Sequence, residues 1–237
     1  MRTRGITKAN VKAMALAVLA IAALAMGGSY FGKDAVFGND STDDSHRHAR
    51  QVALNHTLSR LDQPIIILGD SITEASTLPR SLCGHPIVNA GLGGAATTSN
   101  LGTWLIEALD GRRAAGILVA LGTNDALMMH STQAFETSYV SLLAQLKTVT
   151  DHLAVLGIPA IEMRGRVTAE MRDEATSRID GLTAVLPAVA EKAGAAFVAL
   201  PPMATPHTVD GVHLDAGGYA VWDAAVLTWV PRACNPR

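Results

Sequence analysis

From residue 49 onward, short uninterrupted apolar runs alternate with longer stretches whose apolar positions recur every three or four residues. The short runs read as buried strands and the longer stretches as one-sided helices. Ala49 to Leu61, with Val52, Ala53, Leu58 and Leu61, predicts a weakly amphipathic helix that stops before Pro64. Strands are predicted at Pro64–Leu68, Pro86–Asn89, Ala115–Leu121, Ile158–Met163 and Ala195–Leu200. Between them, Thr97 to Leu109 carries Leu101, Trp104, Leu105 and Ala108 along one helical face. Ser131 or Thr132 can cap a long helix to Leu156 through Phe135, Leu142, Leu143, Leu146 and Leu153, with Gly157 at the position after its end. Arg172 to Lys192 reads as a helix interrupted at Gly181 and Pro187, and Gly217 to Trp229 as the last helix. Strands alternating with helices predict a five-stranded parallel sheet covered on both faces, a three-layer, doubly wound α/β fold. The first three strands each run into a Gly-containing polar loop, all at one edge of a parallel sheet, where such folds place their ligands.

The amino-terminal part breaks this rhythm. Arg2, Arg4, Lys8 and Lys12 form a basic head without an acid, and Ala13 to Phe31 follows without a charge. As a helix, those residues span about 28 Å, close to the apolar thickness of a bilayer. Basic head, apolar run and small residues at Ala23-Leu24-Ala25 predict an export signal over residues 1–31, either cleaved or retained as an anchor through 13–31. Both alternatives place the remainder outside the cytoplasm, periplasmic or extracellular, because the basic flank stays inside. Residues 32–50, with Asp40, Ser41, Thr42, Asp43, Asp44 and Ser45 in a row, are too polar to order themselves and read as a linker. The rest, 51–237, is expected to be one domain. A chain 49% hydrophobic and 17% charged has ample core for it, and a formal net charge of −2 gives no reason to propose a nucleic-acid partner.

Candidate chemistry lies at the predicted strand ends. Gly69-Asp70-Ser71 closes the first strand and leaves Ser71 as a candidate nucleophile. A hydroxyl needs a base and an oxyanion site to react. His213 is the candidate base, with Asp210 three residues earlier to fix its tautomer, in the chain order Ser, Asp, His. Donors for an oxyanion are available at the backbone N–H of Ser71, the backbone N–H of Gly94 and the side-chain amide of Asn124. Asp70 and Asp125 read as loop-bonding residues. His46 and His48 read as solvated, His56, His85, His130, His152 and His207 as surface residues, with His130 alone close to Asn124. The Gly-x-Ser-x-Gly elbow of α/β-hydrolases is absent around Ser71, and a nucleotide-binding reading lacks a Walker lysine.

Gly69-Asp-Ser-Ile-Thr73, Asn89-Ala-Gly-Leu-Gly-Gly94, Gly122-Thr-Asn-Asp125 and Asp210-Gly-Val-His213 resemble the four sequence blocks of the SGNH (GDSL-type) hydrolases, in the family's order. Ile72 and Thr73 follow the serine where the family's name has leucine, which leaves the chemistry untouched. The resemblance implies a flavodoxin-like fold, no metal or other cofactor, and hydrolysis of an acyl ester through an acyl-enzyme. It casts Ser71 as nucleophile, His213 as base, Asp210 as its partner, and Gly94 and Asn124 as oxyanion donors, with Gly94 preferred over Gly93 by spacing from Asn89. The expected activity is that of an exported serine esterase acting on a small acyl, in particular acetyl, ester. Its substrate would be a small molecule, a cell-envelope polysaccharide or a lipid ester. Acyl transfer to a glycan with the same residues, and a catalytically silent glycan-binding module, are the alternatives.

Two further expectations concern residues around this site and far from it. Leu127, Met128 and Met129 follow Asn124 and either floor a small acyl pocket or start the core of the next helix. Cys83 and Cys234 are the only cysteines. In an oxidising compartment they are expected to form one disulfide, with Cys83 as a small buried hydrophobe the alternative.

Overall fold

A computed structural model of the chain describes residues 40–163 and 168–234. The chain divides into two compact units, Met1–His46 and Arg47–Arg237. Residues 1–31, on which the signal or anchor expectation rests, and residues 32–39 of the expected linker lie outside the described residues. Among the described residues no helix is long and apolar enough to cross a membrane. The described elements are, in chain order, α1 (Asp40–Leu58), β1 (Ile65–Gly69), α2 (Ser71–Glu74), β2 (Ser81–Leu82), β3 (His85–Gly91), α3 (Leu101–Leu109) and β4 (Gly116–Ala120). They continue with α4 (Thr123–Leu127), α5 (Thr132–Leu146), β5 (Leu153–Leu156), α6 (Ala169–Ala193), β6 (Ala196–Val198) and α7 (Ala216–Cys234).

The sheet runs β2-β3-β1-β4-β5-β6. Five strands are parallel in the flavodoxin-like order, with β1 at the switch between the two winding directions. β1 pairs with β3 from Ile65↔Ile87 to Gly69↔Gly91 and with β4 from Ile65↔Gly116 to Gly69↔Ala120. Both neighbours thus end level with Gly69. Every residue of β1 is buried, as an apolar run with no polar alternation requires of a strand covered on both faces. Alternation assigns Ile66 and Leu68 to a core shared with Leu54 and Leu58 of α1, Leu105 of α3, Phe135 and Leu143 of α5 and Leu186 of α6. Ile65 and Ile67 face the opposite core, built with Trp222, Val226 and Trp229 of α7.

Five parallel strands are present as expected, with a sixth strand added, and three other expectations need correction. The sixth strand, β2, pairs antiparallel with β3 around Cys83 and Gly84, whose φ values of 53° and 82° give the primed turn that short hairpins favour. The fourth parallel strand is Leu153–Leu156, not Ile158–Met163, and the helix before it ends at Leu146 with Lys147 as its cap. Leu153 continued the helical spacing of Leu142 and Leu146, and four buried residues are too few for periodicity to separate strand from helix. Residues 40–50, expected to be too polar to order themselves, are helical. Arg47 and Arg50 anchor the part of α1 that belongs to the larger unit by donating to backbone carbonyls of residues 89–93. α6 runs through Gly181 and Pro187 without interruption. Burial of Leu182, Leu186, Val189 and Ala190 along one face offsets the cost of both breakers, about 1 and 3 kcal/mol.

The expected disulfide is not formed: Cys83 and Cys234 are free thiols, and Cys83 is exposed at the hairpin tip rather than buried. Cys234 Sγ keeps its proton, donated to the Val230 carbonyl at 3.2 Å. Burial pushes that thiol up to about 11, helped by the neighbouring Cys83 thiol.

Candidate active site

Ser71 opens α2 directly at the end of β1. Asp70 is the cap: its side chain accepts from the Ile72 N–H at 2.9 Å and is itself 2% exposed. Burial drives the Asp70 carboxyl up to about 7, against the opposing pull of the Ile72 N–H and of His213. The neighbouring strand comes so close that a Cβ on Gly69 would sit 2.6 Å from the Ala120 carbonyl of β4, so only glycine fits. Tyr219 of α7 donates to the Ile72 carbonyl at 2.9 Å and ties the turn down from the other face. Ser71, as the first residue of α2, has a backbone N–H with no acceptor inside the helix.

Ser71 Oγ lies 2.9 Å from His213 Nε2, and His213 Nδ1 lies 2.6 Å from Asp210 Oδ2. Asp210 Oδ1 also accepts from the N–H groups of Val212 and His213, at 2.9 and 2.8 Å. Burial would raise the Asp210 carboxyl, but the His213 ring and these two amides outweigh it and hold it below the ordinary carboxylate range. An ionised Asp210 places the ring proton on Nδ1, so Nε2 faces the serine as an acceptor. Such a line can take a proton from a hydroxyl and return it to a leaving group.

The loop carrying this pair is closed by the Thr208↔Leu214 bridge and by Val209 N–H donating to the His213 carbonyl. It is fastened to the segment after β5 by Glu162, which accepts from His207 N–H, Thr208 N–H and Thr208 Oγ1. His207 is buried there with Nδ1 at 3.2 Å from Glu162, so its surface assignment is corrected. Glu162 is a residue that sequence reasoning missed. Its signal was an acid inside the apolar run Ile158–Met163, since an acid in such a run must be satisfied where it stands.

The strand-end loops bring the remaining residues to the same edge. Asn89 donates to the Thr73 carbonyl at 2.7 Å and accepts from Gly91 N–H, joining β3 to α2. Gly93 N–H is taken by Glu74 Oε2 at 2.8 Å. Among the described residues the Gly94 N–H has no acceptor, and the positive φ of 70° at Gly94 turns the chain there. Asn124, on α4, donates one amide hydrogen to the Ala95 carbonyl at 2.9 Å, which leaves the second for another acceptor. Asp125 is fully buried and accepts from Thr97 N–H and Oγ1, and His130 is its partner at 3.1 Å. The structure therefore brings Ser71, Asp210 and His213 into one hydrogen-bonded line and sets the Gly94 and Asn124 loops at the same sheet edge. Met128 and Met129 are exposed, at 53% and 61%, rather than starting the core of the next helix.

A model of the GDSL-like lipase/acylhydrolase family matches residues 67–221. The chain belongs to this family. The match runs from the end of β1 into α7 and takes in all four loops just described. Solved structures share the fold at low identity. A protein from Streptococcus pneumonia named for platelet activating factor superposes with a TM-score of 0.66 at 21% identity, covering 81% of this chain and 95% of its own. A lipase/acylhydrolase from Enterococcus faecalis gives 0.56 at 19%, covering 74% and 98%. A catalytic mutant of an acetylxylan esterase from Geobacillus stearothermophilus gives 0.56 at 16%, covering 74% and 95%. No curated protein matches the sequence.

Proposed function

We propose that this GDSL-family hydrolase is a serine esterase that works through an acyl-enzyme on Ser71. The observation that carries the reading is the line Ser71 Oγ, His213, Asp210 at 2.9 and 2.6 Å, placed where the Gly94 and Asn124 loops converge. His213 Nε2 takes the hydroxyl proton as Ser71 Oγ bonds to the acyl carbon, and Asp210 stabilises the imidazolium that results. The carbonyl oxygen becomes an oxyanion facing the N–H groups of Ser71 and Gly94 and the second amide hydrogen of Asn124. Collapse of the adduct breaks the bond to the alcohol, which leaves with the proton from His213. Water then attacks the acyl-enzyme by the same route and frees the acid and Ser71.

The acyl group we propose is small, acetyl in the first instance, on a glycan alcohol. Support comes from the acetylxylan esterase among the structural neighbours. The basic head and apolar run of residues 2–31 support an exported enzyme acting at the cell envelope. The test is a series of p-nitrophenyl esters of increasing acyl length and an acetylated oligosaccharide, with Ser71→Ala as control. Turnover that is highest with acetate, releases free acetic acid and is abolished in Ser71→Ala supports the reading. Ester hydrolysis that persists in Ser71→Ala refutes it.

A further inference from the structure

Gly93, next to the proposed oxyanion donor Gly94, is held from both sides by charged side chains. Its N–H donates to Glu74 Oε2 at 2.8 Å, and its carbonyl accepts from Arg47 Nε at 3.2 Å. Arg50 holds the same strand end one step earlier. It donates to the carbonyls of Gly91 and Asn89 at 3.2 and 3.0 Å and lies 3.8 Å from Glu74 Oε1. The Arg47 guanidinium also covers Gly94, where an added Cβ would lie 2.9 Å from Nη2. Both arginines are half-buried, and both stand upstream of the segment matched to the family.

The Gly93 carbonyl and the Gly94 N–H belong to one peptide group. That group is planar and trans, so its C=O and N–H point in opposite directions. Holding the carbonyl on Arg47 therefore aims the Gly94 N–H away from α1. A glycine pair left to itself has wide backbone freedom, and a donor on it would have to be ordered in each reaction cycle. A cation on the carbonyl does a second thing. It draws electron density through the amide and makes the N–H of the same group a stronger donor. Glu74 fixes the preceding peptide, so Gly93 cannot rotate to relieve the arrangement.

We infer that Arg47 is a positioning residue for the proposed ester hydrolysis, orienting and polarising the Gly93–Gly94 peptide so that its N–H is ready for the oxyanion. The inference rests on the serine-esterase reading above and extends it to a helix outside the family's matched segment. A group that acts only on the developing oxyanion lowers kcat and leaves ground-state binding unchanged. Removing Arg47 weakens one donor without deleting it, so the loss should be smaller than the 100- to 1000-fold seen for a deleted donor, about 10- to 100-fold in kcat.

The experiment uses the full chain with Arg47→Ala and Arg47→Lys, kinetics on p-nitrophenyl acetate normalised to active sites titrated with a phosphonate ester, and the amide resonance of Gly94. In Arg47→Ala, kcat per titrated site should fall about 10- to 100-fold with KM within about threefold. Affinity for a boronic acid, which forms a tetrahedral adduct on serine, should fall in parallel. The Gly94 amide proton should move upfield as its peptide loses the cation. Arg47→Lys, which keeps the charge and loses the planar fork, should recover part of both effects. A purely structural role would lower the number of titratable sites and leave kcat per site unchanged. An unchanged kcat per site, or an unmoved Gly94 resonance, overturns the inference. Turnover persisting in Ser71→Ala overturns the esterase reading instead, and the resonance still reports on Arg47 in that case.

Discussion

Asp70 caps the turn that presents Ser71, and it does so from a position that is 2% exposed. Burial carries its folded-state pKa from 3.8 to about 7. Below 3.8 the carboxyl is protonated in both the folded and unfolded chain and costs nothing. As pH rises, the unfolded chain gives up the proton first, so the folded state loses stability up to about pH 7, beyond which the loss is constant. Roughly three decades of proton concentration at about 1.4 kcal/mol each bring the full loss to the order of 4 kcal/mol. On the order of 2–3 kcal/mol of it accrues between pH 5 and pH 8. Asp70→Asn keeps an oxygen that can accept from Ile72 N–H and removes the ionisation. Any cost of burying the new amide is independent of pH, so the test lies in the slope. Urea unfolding of the two proteins at pH 5, 6, 7 and 8, followed by tryptophan fluorescence, gives the stability difference at each pH. Asp70→Asn should gain on the wild type as pH rises and level off near pH 8. A difference that stays flat across this range, or that shrinks with pH, refutes the reasoning and means that Asp70 is stably ionised in the fold.

Other expected outcomes follow from the site. Ser71→Ala and His213→Ala should each reduce kcat/KM for an acetyl ester by roughly a thousandfold or more, and the double variant should be no worse than either, because the two act as a unit. Asn124→Ala should cost on the order of 100- to 1000-fold in kcat with KM little changed, measured on the same ester. Glu162→Ala removes Oε2, the oxygen on which His207 N–H, Thr208 N–H and Thr208 Oγ1 converge. It should lower stability by about 1–3 kcal/mol in urea and speed hydrogen exchange of amides 207–213; unchanged exchange there would show that the loop holds without it. Met128→Ala or Met129→Ala should shift preference towards longer acyl chains, and two unchanged chain-length profiles would remove these residues from the acyl pocket.

What the sequence made legible is what depends on short-range chemistry. Ile65-Ile66-Ile67 has no polar alternation, so it had to be a strand covered on both faces. Gly69, Asp70 and Ser71 state a tight turn, a cap and an exposed hydroxyl in successive residues. Asp210 and His213, three apart, are joined by a loop too short to separate them. The expectations that failed depend on partners distant along the chain. Leu153–Leu156 matches the helix before it as well as a strand, and only pairing with β4 and β6 decides the matter. Pro187 breaks helices in isolation, yet the face that buries Leu186 and Val189 overrides it.

The polar opening of α1 carries the same lesson to the site itself. Arg47 and Arg50 stand in a stretch with too few apolar residues to order itself, and read alone it is a linker. What orders them lies some 40 residues away, at carbonyls of residues 89, 91 and 93. β2 pairs only with His85 and Pro86, so the outer edge of β3 beyond them leaves carbonyls without ladder partners, and buried carbonyls must be satisfied. No motif announces which residues will do so, because any nearby donor serves. The local glycines announce only that the loop bends. A nucleophile and its base can therefore be found from sequence spacing, while the groups that hold a backbone oxyanion donor in place require the fold.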